Sequence, residues 1–204
     1  MKTKNSKIRI LVFADLHTPC IEKIRNTNFS EYNYDVCFTL GDINCQHLNA
    51  ITECVNCSVY GVIGNHDEYG MLEQFGIMRL DSKEVIINGF SVTGLSGSSR
   101  YKIDDKPMLT QKESIALSKQ LPPAEILVSH DSAYGLYGAK SDKTHCGLKG
   151  ISKYIKKYKP IVNLHGHHHE NCVKNRRYTT DICVFGCSVI EILGKGLMYV
   201  KRVF

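Results

Sequence analysis

Residues 8–17 read Ile8-Arg9-Ile10-Leu11-Val12-Phe13-Ala14-Asp15-Leu16-His17. Apart from Arg9, an apolar run of strand length ends abruptly in an acid and an imidazole. The arrangement recurs twice. Asp35-Val-Cys-Phe-Thr-Leu40 runs into Gly41-Asp42, and Ser58-Val-Tyr-Gly-Val-Ile63 runs into Gly64-Asn65-His66-Asp67. Runs apolar throughout predict strands covered on both faces, and the helix-like stretches between them predict parallel crossovers, hence an α/β chain. Ligands of such sheets gather at the carboxyl ends of the strands. The three polar clusters stand at those ends, a placement that packing does not explain.

Further along, Lys83 to Leu95 reads as a hairpin turning at Asn88-Gly89, a dipeptide suited to the left-handed turn of paired strands. Pro107 to Gln120 reads as a helix stopped by Pro122-Pro123. Glu125 to Ser129 is a strand ending in His130-Asp131, and Asp131 to Gly147 reads as a long surface loop. Gly150 to Tyr158 is helical. Pro160 to Leu164 is a strand entering His165-Gly166-His167-His168-His169. The tail from Cys172 to Phe204 suggests an antiparallel meander. No internal repeat or linker divides the chain, so residues 1–204 are expected to form one domain, with 1–7 flexible.

The 204 residues suffice for a two-layer core. Apolar residues are 43% and charged residues 23%, the balance of a globular protein. No window reaches the ~18–20 consecutive apolar residues of a membrane span. The N-terminus does not read as a signal peptide, because Asp15 and His17 stand where a small-residue cleavage site belongs. The nine cysteines are odd in number and scattered, which predicts reduced thiols and a cytoplasmic chain. Cys54 and Cys57 form a CxxC without the second pair a structural zinc site wants. The formal net charge of +6 suits an anionic substrate without demanding one. The lysines at 153, 156, 157 and 159 fall on one helix face, read as a solvated face rather than a nucleic-acid patch.

Five strand ends therefore carry metal-competent side chains: Asp15 and His17, Asp42, Asn65 with His66, His130, and His167 with His169. On extended segments, residues two apart share a side, so each outer pair can approach one ion or two neighbouring ions. Carboxylate, carboxamide and imidazole donors together suit borderline divalent metals. Each piece alone has a bland explanation, such as Asp15 capping a helix or His130 sitting as a satisfied core histidine. Five such accidents in order do not.

Asp-x-His, Gly-Asp, Gly-Asn-His-Asp, a later single His and Gly-His-x-His, in that order over residues 15–169, resemble the calcineurin-like metallophosphoesterase family. The resemblance implies a four-layer α-β-β-α sandwich, two mixed β-sheets flanked by helices. It implies two divalent ions, manganese first, with iron, zinc, nickel or cobalt as alternatives. Asp15, His17 and His169 would hold one ion, and Asn65, His130 and His167 the other, with Asp42 bridging. His66 would contact the substrate phosphate and protonate the leaving group, and Asp67 would orient His66 by a hydrogen bond. The segment Cys146-Gly147-Leu148 through Gly166 resembles a small-phosphodiesterase branch. Asp131 after the single histidine, and the extra His165 and His168, depart from the pattern. By strand alternation His168 points away from the ligands, while His165 lies near the site or is buried.

The expected activity is hydrolysis of phosphodiester or phosphomonoester bonds in small or nucleotide-type substrates by a hydroxide bridging the ions. Arg100, Lys102 and Lys140 in loops are candidates to rim the site, and Tyr101, Tyr134 and Tyr137 to stack on a base. A protein phosphatase, or a non-catalytic scaffold of the same fold, is the alternative. The expected partner is a small phosphate ester. A membrane is not expected, nucleic acid is not favoured, and oligomerisation is left open.

Overall fold

The computed structural model describes residues 6–16, 20–194 and 196–204. Residues 1–5, the bulk of the segment expected to be flexible, lie outside it, and so does His17. Lys7 belongs to structure: it opens strand β1 (Lys7–Ala14) opposite Leu193, and its ammonium lies 3.0 Å from Glu191. The chain continues through α1 (Cys20–Asn26), β2 (Val36–Thr39), α2 (Cys45–Cys54), β3 (Val59–Gly61), α3 (Met71–Gln74) and β4 (Met78–Arg79). Next come β5 (Val85–Ile87), β6 (Phe90–Leu95), β7 (Ser98–Ser99), β8 (Met108–Leu109), α4 (Gln111–Ser118), β9 (Ile126–Ser129) and α5 (Lys149–Tyr158). The last elements are β10 (Val162–His165), β11 (Cys172–Asn175), β12 (Thr180–Cys183), β13 (Gly186–Leu193) and β14 (Gly196–Arg202).

Two six-stranded mixed sheets result, in the orders β14-β13-β1-β2-β3-β4 and β11-β12-β10-β9-β6-β5. Strand β1 shows why they stack. Its even residues Ile8, Ile10 and Val12 bury against Val36 and Phe38 and against Val92, Ile126, Val128 and Leu164 of the other sheet. Its odd residues Leu11 and Phe13 bury against Ile24 of α1 and Leu48 and Ile51 of α2. The alternation of successive side chains thus fills one layer on each face. On the far side, Leu127 of β9 packs with Ile151, Tyr154 and Ile155 of α5. Helix α4 lies against α5, where the Gly150 N–H donates to Ser114 Oγ at 3.2 Å. The arrangement is the expected α/β sandwich.

Local readings fare unevenly. The hairpin turns at Asn88 and Gly89 with φ of 48° and 81°, as the dipeptide predicts. The predicted helix over 107–120 shortens to Gln111–Ser118, because Thr110 caps it through a reciprocal bond with Glu113. Met108–Leu109 instead pairs with Ser98–Ser99. The tail is not one meander. The β11–β12 hairpin joins the second sheet and β13–β14 joins the first, so the chain switches layers near Val184. The lysine-rich face of α5 is exposed while Ile151, Tyr154 and Ile155 are buried. All nine cysteines are free, Cys54 and Cys57 included. Among the described residues no helix is long and apolar enough to cross a membrane.

Candidate metal centre

The carboxyl ends of β1, β2, β9 and β10 meet where the two sheets open. Strand β1 stops at Ala14, and the N–H groups of Asp15 and Leu16 donate to the carbonyls of Gly41 and Asp42 at 3.1 Å each. Asp15 and Asp42 are thereby neighbours. Asp42, His130 and His167 converge further, each offering one ligand atom within 4.8 Å of the others. Asn65 joins them, its Oδ1 3.1 Å from His130 Nε2.

The ring orientations of the two histidines follow from their partners. His130 Nδ1 lies 2.8 Å from the Leu40 carbonyl, which can only accept, so Nδ1 carries the proton and Nε2 is left for a metal. His167 Nε2 lies 3.0 Å from the Thr144 carbonyl, which by the same argument leaves Nδ1 free. Burial also pushes the His167 ring down to about 4, the neutral form a ligand needs.

Asp15 supplies the second direction. Its Oδ2 accepts the backbone N–H of His167 at 2.8 Å, while the buried Oδ1 has no hydrogen-bond partner. His169 Nε2 stands 3.9 Å from that oxygen, with the ring stacked on Phe185. Burial, helped by the Asp42 charge, raises the Asp15 carboxyl to about 7. A buried carboxylate oxygen with nothing to accept from fits a cation. The donor set of Asp42, His130 and His167 suits a divalent metal.

The backbone here is strained. Asp15, Asp42, His167 and His169 all take left-handed φ values, 50°, 54°, 69° and 50°. Each costs on the order of 1–3 kcal/mol and persists only where surrounding packing dictates it. The inter-sheet core, with roughly 1.5–3 kcal/mol per fully buried large apolar side chain, outweighs this cost. The conformation also corrects the alternation argument for these pairs. Asp15, His167 and His169 lie beyond the strand ends, so their directions come from turns rather than from the pleat. His168 accordingly turns aside for another reason: its Nε2 bonds Ser132 Oγ at 3.0 Å, 3.6 Å from Asp131. His165 is fully buried, with Nδ1 on the Gly166 carbonyl at 3.1 Å and its ring edge-on to Tyr137.

Asp67 requires a further correction. Its carboxylate accepts the N–H groups of Asp42 and Gly64 at 2.8 and 2.7 Å, and of Ile43 at 3.1 Å. Among the described residues no hydrogen bond joins it to the His66 ring. It pins the β2 and β3 loops together instead. His66 is exposed, tethered through its N–H to Asp42 Oδ1 at 2.8 Å, and lines a cleft of about 460 Å³ with Asp42 and His169.

Two contributors escape sequence reading. The loop over 131–147 is less peripheral than expected, because Thr144 holds His167 and the His145 ring lies 5.3 Å from it. Asp131 is fully buried and accepts Ser99 N–H at 2.9 Å and Ser132 N–H at 2.7 Å. Its departure from the motif was the only signal available. Thr144 acts through its backbone, which residue type does not announce.

Residues 8–187 match the family model described as the calcineurin-like phosphoesterase superfamily domain. The chain belongs to that superfamily. Among solved structures, this phosphoesterase resembles a phosphopantetheinyl hydrolase from Mycobacterium tuberculosis, with TM-score 0.66 and 12% identity over 89% of this chain and 90% of that one. It also resembles a dimetal phosphatase from Danio rerio, with TM-score 0.65 and 11% identity over 97% and 99%. A third likeness is to Vacuolar Protein Sorting 29 from Cryptosporidium parvum, with TM-score 0.52 and 12% identity over 92% and 86%. At such identities the likeness is one of fold. No curated protein matches the chain in sequence.

Proposed function

We propose that this phosphoesterase is a dinuclear metal enzyme hydrolysing phosphodiester or phosphomonoester bonds of small or nucleotide-type substrates. The observation that carries the reading is the convergence of Asp42, His130 and His167, two of them with a ring nitrogen left unprotonated by a carbonyl partner. Asn65, His130 and His167 would hold one ion and Asp15 and His169 the other, with Asp42 between. His17 joins the second group on its motif alone. The mixed oxygen and nitrogen donors suit a borderline divalent metal, and manganese is proposed first because the family resemblance implies it.

Bound there, two divalent ions supply neutralisation of phosphoryl charge and an acidified water as nucleophile. The protein's own part is positional. The Leu40 and Thr144 carbonyls hold two imidazoles in the ligating tautomer. Asp67 fixes the loops bearing Asp42 and Gly64 through three backbone bonds. His66, at the cleft wall and reachable by solvent, is placed to give a proton to the departing alkoxide. Nine free cysteines support a reducing compartment, and we place the chain in the cytoplasm.

The test is hydrolysis of a chromogenic phosphodiester and a chromogenic phosphomonoester with added manganese, with metal content measured on the same sample. Turnover of either supports the reading. Protein holding two ions that cleaves neither overturns it in favour of a scaffold.

A further inference from the structure

A second cavity, of about 470 Å³, opens beside the metal centre. Its wall brings together Arg100, Lys102, Lys140 and Lys143 with the rings of Tyr101 and Tyr134, and no acidic side chain lines it. Arg100 and Lys102 are partly neutralised, by Glu113 at 3.1 Å and Asp104 at 2.9 Å. Lys140 and Lys143 are exposed and, among the described residues, belong to no ion pair. Two ammonium groups without counterions in one concave wall create a field that attracts anions.

The cavity shares its wall with the candidate site. Lys143 and Cys146 line it, and between them in the chain Thr144 holds His167. On its other side Ser99 bonds Cys146 Sγ at 3.2 Å and donates its N–H to Asp131, the residue after His130. A ligand in the cavity therefore lies against the segments that hold His167 and follow His130.

The geometry points to a nucleoside-phosphate subsite: tyrosine rings to cover a base, unpaired lysines to hold a phosphate remote from the bond being cut. The volume is that of a small-molecule pocket, and stacking on tyrosine accepts any base. This inference rests on the phosphoesterase reading and narrows its substrate class to nucleotide esters.

The decisive comparison uses one leaving group on two esters, bis(p-nitrophenyl) phosphate and thymidine 3′-phosphate 5′-(p-nitrophenyl phosphate), whose 3′-phosphate is remote from the bond cut, with the metal-loaded protein and a Lys140→Ala/Lys143→Ala variant. Both lysines are exposed, so the variant is expected to fold. The nucleotide ester should lose about tenfold or more in kcat/KM, the scale of a lost charge-assisted contact, while the plain ester is unchanged. Equal losses on both esters, or none on either, overturn the subsite. Calorimetric binding of adenosine 5′-monophosphate, adenosine and inorganic phosphate to the same two proteins gives a readout free of turnover. The variant should bind the monophosphate about tenfold more weakly, and equal affinity in the two proteins overturns the inference. Absence of all turnover with this binding difference intact would sink the catalytic reading and leave the subsite standing.

Discussion

Asp15 accepts the backbone N–H of His167 across 152 residues of chain, at 2.8 Å, and leaves its second oxygen buried and without a hydrogen-bond partner. One carboxylate thus ties the first motif to the last while keeping a lone pair for an ion. Without a cation that oxygen is a liability, since burial disfavours its charged form.

The metal-free chain should therefore weaken as pH rises. Burial raises Asp15 to about 7 and Asp67 to about 6 from an ordinary 3.8. Both fold more readily when protonated, so their contribution is full below about pH 4 and lost as pH climbs through 6 to 7. His130 runs in the same sense: burial lowers its pKa, but the Asp42 and Asp15 charges outweigh that and leave it raised. Urea unfolding in chelator from pH 4.5 to 7.5 measures this. Asp15→Asn should flatten the decline, and an unchanged decline in the variant would refute the assignment to Asp15.

Asp42→Asn should lower metal content at both positions, while His66→Ala keeps the metals and loses activity. The Asn oxygen can still accept the His66 N–H, so only the charge is removed. Elemental analysis of the purified variants decides it. Two ions retained in the Asp42 variant would sink the bridging role.

Gly166→Ala removes no ligand from the sequence yet should weaken metal binding. An added Cβ would stand 2.5 Å from Asp15 Oδ2 and 3.1 Å from the Ala14 Cβ, displacing the carboxylate that holds His167. Losses of about 10–100-fold are typical when a ligand's support is disturbed. A metal titration checks this, and wild-type affinity would show that the Asp15–His167 bond is dispensable.

Asp131→Ala strands two buried donors, Ser99 N–H and Ser132 N–H. Each unsatisfied donor costs about 1–3 kcal/mol, so the variant should be among the less stable ones. Denaturant unfolding reads the loss directly, and a change below about 0.5 kcal/mol, the ordinary range for surface substitutions, would mean water replaces the carboxylate.

By itself the sequence determined the alternation of apolar runs and helices, the hairpin at Asn88-Gly89, and the ordered Asp, Asn and His residues at strand ends. These are legible because burial and turn chemistry act on residues close in the chain. Tertiary structure alone decided that Asp67 serves backbone rather than His66, that Thr144 holds His167, and that the tail divides between two sheets. It also placed Lys140 and Lys143 beside Tyr101 and Tyr134. Those outcomes depend on backbone groups and on contacts between distant segments, and neither leaves a mark in residue type or spacing. The left-handed turns at Asp15, Asp42, His167 and His169 belong with them: Asp and His tolerate that conformation better than most residues, but only the closed sandwich imposes it at these four positions.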